Sequence, residues 1–489
     1  MHTSILSATV AFTATLLIAA DSSAAIRYVN ASLASGANNG TTWADAYQGV
    51  GGIASALTAS VSGDQIWVAA GTYKPTTTTA RTTFLTLKTG VGVYGGFSGT
   101  EAKLAQRDWT ANATIVTGDL LGNDNGALNL TDNSYHCFVG SAALATAILD
   151  GFTVKGGYAN GATASNYDKG AGIIITNSGS PTVRNCTFVG NRCTFGGGAG
   201  YIFSAGATFT NCRFENNFGG TYGGAFDTNA VTSTFDRCVF IGNTASRAGA
   251  IESYGSSATK ITNCVFSGNS ATGSNGGGAV WIGTSSACTI RDSTFSGNSA
   301  TTLAGCIINT SGTSTISNCI LWQNTGPGGM TVANQLTNSG GATVVSYSIV
   351  QGGFTGSGNL NLDPKFVDAP ARNFMLLTTS PAIDAGSNST VPVGTTVDQA
   401  GATRFVDLPT VADTGIGTAP IVDIGAYEVQ LPPPPACPAD IDGSGSVDAS
   451  DLSTLLGSWG ASGAGDIDGN GTIDASDLST LLGAWGPCA

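Results

Sequence analysis

The chain has 489 residues with 70 glycines, 10% charged and 42% apolar residues, and a formal net charge of −13. Such a chain is ordered but turn-rich, too long for one compact core and suited to an elongated one. Eight of the acidic residues lie beyond Pro435, in a stretch that holds no Lys or Arg, so the body is nearly balanced; without a basic stripe, nucleic-acid binding is not expected.

Residues 1–25 read as a secretory signal peptide, an apolar run from Ile5 to Ala20 ending in the small-residue cleavage site Ser23-Ala24-Ala25. No other segment approaches the length of a membrane span. The expectation is an exported protein, secreted or on the cell surface of a bacterium, with no transmembrane span in the mature chain. Residues 26–150 then carry Gly63-Asp-Gln-Ile-Trp-Val-Ala-Ala-Gly-Thr-Tyr73 and Val93-Tyr-Gly-Gly-Phe-Ser-Gly-Thr-Glu101. These phrases resemble the N-terminal part of bacterial β-helix proteins. A short amphipathic helix, roughly 51–60, is predicted to close the open end of the solenoid, as an exposed sheet edge requires, with the first turns around Ile66 and Val93.

Residues 151–350 say one sentence repeatedly. Cys186-Thr-Phe-Val-Gly-Asn191 recurs at one constant spacing at Cys212, Cys238 and Cys264, then after a single longer step at Ser293, and again at the original spacing at Cys319. A second motif lies between the blocks, at Gly197-Gly-Ala-Gly200, Gly223-Gly-Ala-Phe226, Ala248-Gly-Ala-Ile251, Gly277-Gly-Ala-Val280 and Ala304-Gly-Cys-Ile307. The longer step places its extra residues in the Ser274-Asn-Gly loop, which keeps the strands in phase. A fixed period of this size means a repeat array. Short β-branched and aromatic runs without a helical period make it a strand array, and one turn of a parallel β-helix fits. Stacking the turns would line Phe188, Phe214, Phe240, Phe266, Phe295 and Leu321 into an interior column. The terminal Asn of each motif would form a second column at a bend, taking the left-handed backbone and bonding the Asn of the next turn. The cysteine column is expected to be reduced interior packing, with rung-to-rung bridges only where the Cβ vectors converge. Together the two motifs resemble the polymorphic outer-membrane-protein type of right-handed parallel β-helix, which implies an all-β fold and a surface or secreted habit, and no particular reaction.

Residues 351–430 include Ser380-Pro-Ala-Ile-Asp-Ala-Gly-Ser-Asn388 and Val422-Asp-Ile-Gly-Ala-Tyr-Glu428, and resemble a module that often follows such β-helices as cap and spacer. Residues 431–436 form a Pro-rich linker. In residues 437–489 one loop pattern occurs twice, beginning at Asp440 and again at Asp466. The oxygen-bearing positions are Asp440, Asp442, Ser444, Ser446, Asp448 and Asp451, then Asp466, Asp468, Asn470, Thr472, Asp474 and Asp477. Side-chain oxygens at positions 1, 3, 5, 9 and 12, a carbonyl at 7 and Gly at 6 are what an EF-hand-like calcium loop needs. Each loop precedes an amphipathic run, with no helix ahead of it. The pair resembles a type I dockerin, a small α-helical domain. That resemblance implies two Ca²⁺ ions and a cohesin-like partner or surface anchor, met through Ala449, Ser450, Ala475 and Ser476. Cys437 and Cys488 flank the module and are expected to form a disulfide. The closing Gly-Pro-Cys resembles a dockerin variant that serves as a terminal anchor.

The catalytic inventory is thin. His2 is expected to leave with the signal, so His136 is the one mature histidine, and a multi-His metal site or a Ser-His-Asp triad is not expected. One column remains: Tyr201, Asp227, Glu252 and Trp281 each follow a Gly-Gly-Ala-type motif and point outward if the preceding residue points inward. Asp227 and Glu252 would stand near the carboxyl separation of retaining glycosidases, with Tyr201 and Trp281 able to stack on sugar rings. The plainer reading is a solvated acidic pair beside sheet aromatics. The sequence therefore leads to a secreted, non-enzymatic β-helix that binds or adheres to extracellular material, polysaccharide above all, and is tethered through its dockerin-like tail. The alternative is a polysaccharide lyase or glycoside hydrolase carried by the same tail.

Overall fold

The computed structural model describes residues 24–229, 232–431 and 437–488. The expected signal peptide lies outside them except for its last two residues, as does the run of prolines at 432–435. The chain divides into two compact units, 1–429 and 430–489. Among the described residues, no helix is long and apolar enough to cross a membrane.

The first unit is a right-handed parallel β-helix. One turn shows the plan: strands Ala207–Thr210, Arg213–Glu215, Phe218–Gly219 and Phe226–Asn229 follow one another and belong to four different sheets, here A, B, C and D. Stacked turns give sheets of twelve, ten, six and nine parallel strands respectively. Alternation along each strand sends side chains inward and outward by turns. In sheet B the interior column runs in register from Phe188 through Phe214, Phe240, Phe266 and Phe295 to Leu321. It continues backwards to Val154, Val116 and Tyr73 and forwards to Val350. Phe240, Phe266 and Phe295 stack face to face at 4.5 and 4.4 Å between centroids.

The terminal asparagines form a buried ladder. Asn217 Oδ1 accepts from the backbone N–H and the side-chain amide of Asn191, and the bond pattern repeats through Asn243, Asn269, Asn298 and Asn324 to Gln335. Each amide also donates to a backbone carbonyl of the preceding turn, as Asn217 does to Phe188 at 2.9 Å. The left-handed backbone expected at these asparagines sits one residue earlier, at Gly190, Asn216, Gly242, Gly268, Gly297 and Gln323. That is why Gly precedes Asn in four of the six motifs. A second left-handed column, Asn185, Asn211, Arg237, Asn263, Asp292 and Asn318, turns the chain from sheet A to sheet B just before each Cys or Ser. Cys186, Cys212, Cys238, Cys264 and Cys319 are buried free thiols. Burial pushes the Cys186, Cys212 and Cys238 thiols well above their usual range.

Helix Gly52–Ala59 packs Ile53, Ala56 and Leu57 into the main core beside the first strands. At the other end, Phe354 packs against the same core. Much of the 351–430 module lies along the flank of sheet B, with residues 392–397 over the outer face of sheet A. Phe374 and Ala426 cluster with Val265, and Ile383 and Ile424 with Ile320 and Ile349. The module is thus largely part of the solenoid body. Fully buried Arg404 fastens it, pairing with Asp292 of the solenoid at 3.2 Å and donating to the Asp423 and Gly425 carbonyls.

The second unit holds helices Ala449–Gly457 and Ala475–Gly483 around Ala439, Val447, Leu455, Ile473 and Leu481. A Cys437–Cys488 disulfide closes it, with Cα atoms 5.9 Å apart.

Candidate functional site

Sheet D carries a cluster of ionisable groups. Phe226, Ile251 and Val280 face the core, so the residue after each lies on the outer face. Tyr201, Asp227, Glu252 and Trp281 are consecutive partners in register. The column is brought together as the sequence predicts, but its environment is not the expected one. Asp227 and Glu252 are both 0% exposed and Tyr201 only 4%. The turns between sheets C and D fold back over the outer face of sheet D and cover it. Gly196 lies so close that a Cβ there would stand 2.3 Å from Asp227 Oδ2. At Gly224 a Cβ would stand 2.2 Å from the Gly249 carbonyl, so these turns stack backbone on backbone. The solvated acidic pair, and Tyr201 as a sugar platform, are therefore both corrected: the covering turns shut them away from solvent.

The groups that do reach solvent are Arg247 and Trp281. Arg247 Nη1 pairs with Glu252 Oε1 at 2.9 Å, while its guanidinium carbon lies 4.4 Å from the Tyr222 ring centroid and 4.6 Å from that of Trp281. A guanidinium between two aromatic rings is held by its plane as well as by its charge. Around it opens a cleft of about 370 Å³ lined by Thr221, Ser246, Arg247, Ser274, Asn275, Trp281 and Thr310. Beneath, both Asp227 oxygens and Glu252 Oε2 lack a hydrogen-bond partner among the described residues. Burial pushes the Asp227 carboxyl up to about 7, against the pull of Arg247 and Lys169. Burial, then the Asp227 charge, pushes Glu252 well above the carboxylate range. Two stacked carboxyls facing one guanidinium cannot both ionise without large cost. The pair is a buried socket for Arg247. The sequence reading missed Arg247 and Tyr222. Both precede the Gly-Gly-Ala-type motif, one per turn, so reading that column as well as the one after the motif would have found them.

Two further features bear on chemistry in this unit. A larger cleft of about 660 Å³ lies between the outer face of sheet A and residues 392–397, where Arg237, Lys260 and Arg291 outnumber Asp236. It has no aromatic platform. His136 is buried, its Nδ1 is 3.0 Å from the Gly170 carbonyl, and burial lowers its pKa to about 4. It is a neutral packing residue.

In the second unit, carboxylate oxygens of Asp440, Asp442 and Asp451 lie within 4.8 Å of one another, as do those of Asp466, Asp468 and Asp477. Asp466 Oδ1 is buried without a hydrogen-bond partner among the described residues. This donor set fits a hard cation such as Ca²⁺. Asp451 and Asp477 also accept three backbone N–H bonds each, which fixes their carboxylates at the closing edge of the loop. Asp448 and Asp474, expected as ninth-position ligands, stand outside these triads and cap the helices, accepting from Ser450 and Ser476 N–H. Ser444 Oγ donates to the Ser446 carbonyl, and Asn470 Oδ1 accepts from Thr472 N–H. Ala449, Ser450, Ala475 and Ser476 lie on the first helical turns, with Leu456 and Trp459, and their counterparts Leu482 and Trp485, exposed towards the other ends.

The family model for a right-handed beta helix region matches residues 109–275 and 229–358, together just over half of the chain. No curated protein matches the sequence. Among solved structures, the crystal structure of pectate lyase Pel9A is similar at 14% identity with a TM-score of 0.43, covering 84% of this chain and 97% of the lyase.

Proposed function

The chain belongs to the right-handed β-helix family, and from that premise we propose that it is a non-catalytic extracellular binder of polysaccharide, tethered through its C-terminal unit. The observation that carries this reading is the cleft at Arg247 and Trp281. Hydroxyls, an amide, a fixed guanidinium and an aromatic ring form a surface suited to sugar rings, which present hydroxyl edges and C–H faces. The carboxyl pair beneath it has no access to substrate, which favours binding over glycoside hydrolysis, since a general acid must reach the leaving oxygen. Affinity electrophoresis of the mature chain through gels holding plant or algal polysaccharides tests it. At least one glycan should retard the wild type, and Trp281→Ala should weaken that retardation at least tenfold. New reducing ends or unsaturated products would replace this reading with the lyase or hydrolase alternative.

The tethering half of the reading rests on the tail. The two acidic triads would each hold one Ca²⁺, ordering the loops through their carboxylates, while Ala449, Ser450, Ala475 and Ser476 with the neighbouring exposed Leu and Trp residues meet a cohesin-like partner or surface anchor. The signal peptide and the anchor fit export to the cell surface of a bacterium. Deleting residues 437–489 should release the protein from the surface into the medium, and unchanged retention would remove the tail from the anchoring role.

A further inference from the structure

A third cluster of carboxylates lies ahead of the Pro-rich linker, in the module against the flank of the solenoid. Oxygens of Asp384, Asp407 and Asp413 all lie within 4.8 Å of one another. Asp407 and Asp413 are exposed and bracket a loop, whereas Asp384 is 0% exposed. The loop is pinned over Asp384 by the Thr414 and Gly415 N–H groups, both of which donate to the Asp384 carbonyl at 2.9 Å. Asp384 N–H in turn donates to Asp423 Oδ1. The Asp384 carboxylate itself has no hydrogen-bond partner on either oxygen among the described residues. Burial raises the pKa of this carboxyl, the Leu408 backbone pulls the other way, and the neighbouring charges of Asp413 and Asp407, of its own sign, raise it further.

A buried carboxylate with no donor, facing two further carboxylates, is costly unless something positive stands between them. Oxygens within 4.8 Å of one another are close enough to share one cation. Oxygens bound at about 2.3–2.6 Å to a common Ca²⁺ lie up to about 5 Å apart. We propose that Asp384, Asp407 and Asp413 bind a calcium ion that locks the 407–413 loop onto the solenoid body, separate from the two tail loops. All three ligands are hard oxygens, two of them open to solvent, so water can complete the irregular shell that Ca²⁺ accepts and Mg²⁺ does not. The ion would leave the fold intact and hold one segment of it closed.

The test is an ion count on the mature full-length chain, freed of metal and dialysed to equilibrium against radiolabelled Ca²⁺, together with the thermal transition of the body with and without Ca²⁺. Asp407→Asn with Asp413→Asn, both at exposed positions, should lose one bound ion per chain and lose the Ca²⁺-dependent rise of the body transition. Asp451→Asn with Asp477→Asn should keep that ion and that rise whatever it does to the tail. Should Asp384→Asn fail to fold, the exposed pair still decides. An unchanged ion count in the Asp407/Asp413 variant overturns the site, including the case where the tail alone accounts for all bound calcium; loss of tail ions alone bears only on the tether.

Discussion

Asp227 shows how burial changes what a residue can do. The sequence places it in a column with Glu252, and register alone makes that column legible. Its exposure was not legible, because the covering turns come from residues such as Gly196 whose only contribution is lack of bulk. A carboxyl held up to about 7 from 3.8 binds its proton more tightly folded than unfolded. Stability from this group is therefore undiminished below about pH 4 and falls as pH rises towards 7. Asp227→Asn should match the wild type near pH 4 and exceed its stability increasingly up to pH 8 in urea titrations; a constant difference across that range would place the carboxyl in water. Asn243 is a second case. It satisfies the Phe214 carbonyl and the Asn217 N–H in the buried ladder, so Asn243→Ala should cost about 2–4 kcal/mol, read from the shift in denaturant midpoint.

At the scale of elements, the repeat made the strands, their period and their interior column readable before any coordinates. What it hid was which residue bends the chain. The ladder Asn and its preceding Gly share one corner, and the left-handed conformation belongs to the Gly while the Asn supplies the hydrogen bonds. The 351–430 module was harder to read because its partners are residues more than a hundred positions away: Arg404 pairs with Asp292. Arg404→Met would leave Asp292 and Glu428 buried beside an apolar side chain. The body should lose about 3–5 kcal/mol, measured by chemical denaturation; an effect below about 1 kcal/mol would mean that the module is held by its apolar contacts alone. In the tail, the Cys437–Cys488 bridge closes a long loop. Replacing both with Ser should cost that unit about 4 kcal/mol on the loop-closure model, seen as a lower tail transition with the body transition unmoved.

At the scale of the whole molecule, the solenoid interior is filled by phenylalanine stacking and asparagine bonding, which leaves function to the outer faces and to the tail. The reading as a binder depends on one distinction, between a cleft that holds sugar and a carboxyl pair that could cleave it. Asp227 lies beneath the cleft without lining it, and Asp227→Asn leaves the Glu252–Arg247 ion pair in place, so that variant should keep glycan retention, while loss of Trp281 should not. The decisive measurement is to incubate the mature wild-type chain with each retained polysaccharide in the presence of Ca²⁺ and assay both reducing ends and ultraviolet absorbance from unsaturated products. Retention of a glycan with neither product is the expected result. Release of either product, abolished by Asp227→Asn with Glu252→Gln, would contradict it and make the buried pair a catalytic centre opened by substrate.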